Sequence, residues 1–180
     1  MRLLVLTIIT VMGFANSANA TTSIDRETAN KYFEACVANE DPRFTKDTQE
    51  LFCACTSVHL MERYTMEDMR DSSRPDQIGR DATNKMITNV YAPCIKYPAK
   101  EYHYNQCLNS GKIRLLGDPK TICSCSAEQV AAVLERDGQQ MLIDIIEKTP
   151  NIIDPMRAVY DDREFQKMIE QKALSCITDQ

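Results

Sequence analysis

Tryptophan is absent from this sequence, histidine occurs twice, and glycine only five times in 180 residues. With Gly79, Gly111, Gly117 and Gly138 the only glycines after the first segment, there is no glycine-rich loop to cradle a phosphate. No stretch alternates apolar and polar residues for long enough to form a half-buried strand. A Ser-His-Asp or Cys-His hydrolase would have to use His59 or His103, and neither lies in a nucleophile motif. Both histidines read as ordinary helix-surface residues, and no catalytic residue is assigned. No run of Lys and Arg occurs, and acidic residues outnumber basic ones by 26 to 21. An acidic chain gains no counterion-release attraction, which excludes nucleic acid and anionic lipid as partners. No Asn-x-Ser/Thr sequon follows residue 20, which suits a bacterial periplasm.

Long apolar runs are also missing except at the start. Arg2 precedes an apolar run from Leu3 to Phe14, which closes on Ala18-Asn19-Ala20, the small-x-small pattern that signal peptidase reads. About a dozen apolar residues are too few for a permanent bilayer span. Residues 1–20 are therefore expected to be a cleaved signal peptide, with the mature chain starting near Thr21 and no transmembrane segment left in it. No cysteine follows the run directly, so a lipid-anchored start is not expected. Only Arg2 is lost among the charges, taking the net charge from −5 to −6. The expected location is periplasmic or secreted.

Against these absences stand eight cysteines: Cys36, Cys53, Cys55, Cys94, Cys107, Cys123, Cys125 and Cys176. An even count behind an export signal reads as disulfides. Their order, Cys, long gap, Cys-x-Cys, long gap, Cys, occurs twice. The gap before each Cys-x-Cys pair is 17 positions in the first copy and 16 in the second, whereas the final gaps are 39 and 51. Asn84–Ile95 and Gln166–Ile177 align without a gap and share Lys, Met, Ile, Cys and Ile. A fixed order repeated with matching flanks marks a duplication. The expected fold is all-α, two tandem copies of a disulfide-stapled helical module, one over residues 21–97 and one over 98–180, with Pro98 at the junction.

Helical spacing dominates both copies. Ala29, Tyr32, Phe33, Cys36 and Val37 form one stripe, and Tyr104, Cys107 and Leu108 its counterpart, which stops at Asn109-Ser110-Gly111. In the second copy Asp118-Pro119 predicts a cap and a first-turn proline for a helix running to about Arg136. Its core stripe matches that of the first copy, pairing Phe52 with Ile122, Cys53 with Cys123, Leu60 with Val130, Met61 with Ala131 and Tyr64 with Leu134. Pro93 is expected to kink the last helix of the first copy, and Thr65-Met66-Glu67-Asp68 to form a capping box. Met141, Leu142, Ile145 and Ile146 predict a short separate amphipathic piece before Pro150. Glu40-Asp41 and Asp161-Asp162 read as caps or solvated charge.

The Cys-x-Cys pairs are the one constellation with plausible chemistry. Residues two apart on a helix point about 200° from each other, which suits a helix stapled to a neighbour on each side. A thiol-redox site calls for Cys-x-x-Cys beside a parallel sheet, and the chain has neither. A soft-metal site for Cu(I) or Zn could draw on His59, Met61, Met66 and Met69, but methionines at this spacing are more often core filler, so no metal ligand or cofactor is assigned. The eight-cysteine count is similar to that of plant lipid-transfer proteins, but their adjacent Cys-Cys pair is missing here and nothing is carried over.

Eight cysteines allow 105 pairings; confining bridges to each copy and requiring the copies to match leaves three. One of these closes Cys53 onto Cys55, a small ring that a helix disfavours. Comparing heights along an antiparallel helix pair places Cys123 nearer than Cys125 to Cys107, by about 3 Å. The geometry slightly favours Cys36 with Cys53, Cys55 with Cys94, Cys107 with Cys123 and Cys125 with Cys176. The function expected from these readings is a non-enzymatic exported binding module engaging a protein or an apolar small molecule. A thiol-redox or soft-metal protein is the alternative.

Overall fold

The computed structural model describes residues 21–111 and 113–178, so the expected signal peptide lies outside the described residues. Among those described, the chain is helical, and its one β feature is an isolated bridge between Ser23 and Thr65. Except for the helix over Lys96–Asn109, which follows directly on a 3-10 turn, each α-helix described starts where a side chain can satisfy free backbone N–H groups. Asp25 caps α1 (Arg26–Ala38) and Thr45 caps α2 (Lys46–Arg63). Thr65 and Asp68 close a reciprocal capping box on α3 (Met66–Asp71), at 3.0 and 3.1 Å, as the sequence predicts. Asp76 caps α4 (Gln77–Met86). Asp118 with Pro119 opens α6 (Pro119–Lys148), and Asp154 with Pro155 opens α7 (Pro155–Asp161). Asp162 accepts from the backbone of Glu164 and Phe165 at the start of α8 (Arg163–Thr178).

The helix that carries Cys123 and Cys125 does not stop near Arg136 as expected, because α6 runs unbroken for 30 residues and takes in Met141, Leu142, Ile145 and Ile146. A Cβ at Gly138 would meet only ordinary contacts, 3.7 Å from the Ala92 carbonyl and from Ile95, so the packing against that segment does not depend on a glycine here. At Pro98, the expected junction, the backbone is helical. After α4 the backbone widens to a π turn over Ile87–Tyr91, tightens to a 3-10 turn over Ala92–Cys94 that contains Pro93, and resumes as α5 (Lys96–Asn109), with Pro98 buried in its first turn. Pro93 has no N–H to give, and the change of helical pitch absorbs it.

The helix α6 is the spine. It packs along α5, α7 and α8 and reaches back to the π and 3-10 turns. The larger core cluster accordingly takes Ile87, Ala92 and Ile95 from residues 21–97, and Val130, Leu134, Leu142, Met156, Val159 and Phe165 from residues 98–178. A smaller cluster of Ile24, Ala29, Leu60, Tyr64 and Val90 is covered by Met61, Met66 and Met69. Burying each large apolar side chain contributes about 1.5–3 kcal/mol before ordering costs. Three of the five stripe pairs predicted from sequence are matched in full burial, Leu60 and Val130 at 0% exposed, Cys53 and Cys123 at 0%, Tyr64 at 3% and Leu134 at 1%, whereas Phe52 is half-buried and its counterpart Ile122 buried.

Four disulfides are present: Cys36–Cys53, Cys55–Cys94, Cys107–Cys123 and Cys125–Cys176. This is the pairing that the helix heights favoured. Opposite faces of α2 are stapled, through Cys53 to α1 and through Cys55 to the 3-10 turn. In the same way α6 is stapled through Cys123 to α5 and through Cys125 to α8. Each bridge joins a cysteine to the next one along the chain, so no loop encloses another, and none crosses from residues 21–97 to residues 98–178.

Candidate ligand cleft

A cleft of about 620 Å³ opens between the two halves, within the usual size of small-molecule sites. Tyr32, Ala35 and Cys36 of α1 and Gln49 and Phe52 of α2 form one wall. Tyr91, Ile95 and Pro98 form its back, and residues 153–156, which lead into α7, close the far side. The α1–α2 link adds Asn39, Asp41, Arg43 and Phe44 at the mouth. The lining is mostly apolar and aromatic, and the rings of Phe52 and Tyr91 lie 5.9 Å apart at 41°.

The polar groups around it are largely engaged with one another. Gln49 donates its amide to the carbonyls of Cys36 and Asn39, at 3.0 and 3.4 Å. Arg43 donates through Nε and Nη2 to Asp41 and through Nη1 to Asp154, 111 positions away, at 2.7 Å. The paired guanidinium holds the Asp41 carboxyl below the usual carboxylate range, and the two carboxylates in turn raise Arg43. Asp41 is therefore half of a bridge across the cleft mouth, whereas the sequence suggested only a cap or solvated charge. The neighbouring Ile153 is 98% exposed and borders two further hollows on the same loop. Thr45 ties the same link to α5, donating its backbone N–H and hydroxyl to Glu101 at 2.8 and 2.9 Å.

Two other clusters bring together groups with plausible chemistry. Sγ of Cys55, Sγ of Cys94 and a ring nitrogen of His59 lie within 4.8 Å of one another, and the buried Nδ1 of His59 has no hydrogen-bond partner. Both sulfurs are consumed by a disulfide, so they offer no thiolate to a metal. Met61, Met66 and Met69 pack on the smaller core. His103 is not the surface residue expected from sequence. Its Nε2 lies 2.8 Å from Oγ of Ser126, its ring stacks on Tyr160, and burial lowers its pKa.

Position by position, His103 and Ser126 match Tyr32 and Thr56 of the other half. Tyr32 and His103 lie four residues before the first cysteine of their halves, and Thr56 and Ser126 lie three after the second. Thr56 and Ser126 are both buried, at 0% and 1% exposed, and His103 reaches Ser126. Counting four back from Cys107 would have found His103 on the buried stripe. The cleft itself had no such signal, because its walls come from segments more than 100 residues apart.

No protein-family model matches this chain, and neither a curated protein nor a solved structure does. Among the described residues, no helix is long and apolar enough to cross a membrane. That fact and the four disulfides are compatible with an oxidising extracellular compartment.

Proposed function

We propose that this chain is an exported, non-enzymatic binding module built from two tandem copies of a disulfide-stapled helical unit, and that the cleft between the copies holds an apolar small molecule. The observation that carries the reading is the aromatic cleft of about 620 Å³ whose walls belong to both halves. Bridges anchor α1, α2 and the 3-10 turn around it, and a wall already rigid loses less entropy on binding. Duplication is supported by the repeated cysteine order, the paired burial at most core-stripe positions, and the matched positions of Tyr32 with His103 and of Thr56 with Ser126. A protein partner that inserts an apolar side chain into the same cleft is the other form of this reading.

Native mass spectrometry of protein purified from its own compartment should reveal a co-purifying small molecule. Ala35 lines the cleft from an exposed position on α1, so Ala35→Trp should fill the space without burying the new ring in the core. The variant should lose most of the binding of an apolar fluorescent probe while melting as the parent does. Equal probe binding by parent and variant would remove the cleft from consideration.

The alternative, a thiol-redox or soft-metal protein, draws on one observation, the proximity of His59 to the Cys55–Cys94 bridge. It requires that bridge to be open in the cell. Alkylation in denaturant without reductant, on freshly isolated protein, decides between the two: labelling of Cys55 and Cys94 favours the alternative, and no labelling favours the stapled module.

A further inference from the structure

We propose that the cleft selects an organic cation, an ammonium group carried on an apolar or aromatic body, rather than a carboxylate amphiphile; this rests on the cleft being a ligand site. Two independent features of the mouth and walls point the same way. The first is charge. Two carboxylates, Asp41 and Asp154, flank one guanidinium, Arg43, leaving the mouth with a net negative charge. Arg43 already spends Nε, Nη1 and Nη2 on those carboxylates. An incoming carboxylate would meet two like charges and would have to break these bonds to reach the guanidinium.

The second feature is the walls. Phe44 already carries a cation on its face, with Cζ of Arg43 5.3 Å from the ring centre. Tyr32, Phe52 and Tyr91 remain as aromatic surface inside the cleft. Aromatic faces attract alkylammonium groups through the ring quadrupole, more strongly as water is excluded. A neutral ligand of the same shape gains the burial but neither of these attractions.

Three probes of matched shape separate the possibilities: phenyltrimethylammonium, its uncharged isostere tert-butylbenzene, and 4-tert-butylbenzoate. Each is titrated into the full mature chain at low salt and followed by ligand-observed NMR. The cation should bind tightest, about fivefold or more over the neutral isostere. Asp154→Asn retains an oxygen to cap α7 but removes its charge; it should reduce that ratio and leave tert-butylbenzene unchanged. Asp41→Asn should act in the same direction and serves if the first variant melts early. Neutral binding equal to or tighter than that of the cation, or benzoate binding tightest, overturns the charge selection while leaving the cleft as a ligand site. Failure of all three to bind overturns the selection and the cleft reading together.

Discussion

Replacing both cysteines of one bridge by alanine should destabilise the protein by an amount set by the length of the loop that bridge closes. The four loops span 17, 39, 16 and 51 positions in chain order. Because none encloses another, removing one bridge leaves the other three loop lengths unchanged. Loop-closure entropy then gives about 3 kcal/mol for each short loop and about 4 kcal/mol for each long one. Each bridge pairs one partly exposed cysteine with one buried partner, namely Cys53, Cys94, Cys123 or Cys176. The packing loss is therefore similar in all four, and the difference of about 1 kcal/mol between Cys125/Cys176 and Cys107/Cys123 reports loop length. The four together amount to about 14 kcal/mol on this scale, close to the whole stability of a typical domain, so the fully reduced chain should be unfolded. Urea unfolding of the four double variants, with bridges in the remainder confirmed by mass, measures the series. A short-loop bridge that costs more than a long-loop one would refute the reasoning. So would two removals whose costs depart from their sum by more than about 0.5 kcal/mol.

Further outcomes follow from single positions. A Cβ at Gly79 would lie 1.9 Å from the Arg74 carbonyl, so Gly79→Ala should cost at least about 2 kcal/mol by thermal melting. Gly138→Ala meets only ordinary contacts at 3.6 Å and beyond and should stabilise α6 by about 0.5–1 kcal/mol. Burial lowers the pKa of His103 below that of a free histidine; as pH falls through about 6.5, the unfolded chain takes up a proton that the folded chain resists. Stability should therefore decline as pH falls below about 6.5, and His103→Gln should flatten that decline in chemical denaturation curves. Phe165 is fully buried in the larger core, and Phe165→Ala should cost about 3–5 kcal/mol.

The staples were legible in the sequence because a helix advances each residue by a fixed angle. Cys53 and Cys55 had to face different neighbours, and the caps Asp118 and Thr65 set where helices could start. Less legible were the places where tertiary contact decides. A helix end near Arg136 and a junction at Pro98 were expected, yet α6 continues to Lys148 and Pro98 sits in a first turn, where its missing N–H costs nothing. Phe52 shares a stripe with Ile122, but Ile122 is at 0% exposure whereas Phe52 is half-buried on the cleft wall. Periodicity marks a residue as apolar-facing and says nothing of whether that face meets a core or a cavity. Asp41 and Asp154 share Arg43 across 113 positions of sequence, a pairing that only the packed halves create.

Consecutive pairing of the cysteines also bears on how the native bridges are reached. A chain delivered N-terminus first into an oxidising compartment presents Cys36, then Cys53, then Cys55, then Cys94, and so on to Cys176. Each newly arriving even-numbered cysteine finds its correct partner to be the one that arrived just before it. Order of arrival alone thus selects one pairing from the 105 available. An oxidant that joins each emerging cysteine to the unpaired one before it would produce this set of bridges. Refolding from the fully reduced state, where all eight thiols compete at once, loses that guidance.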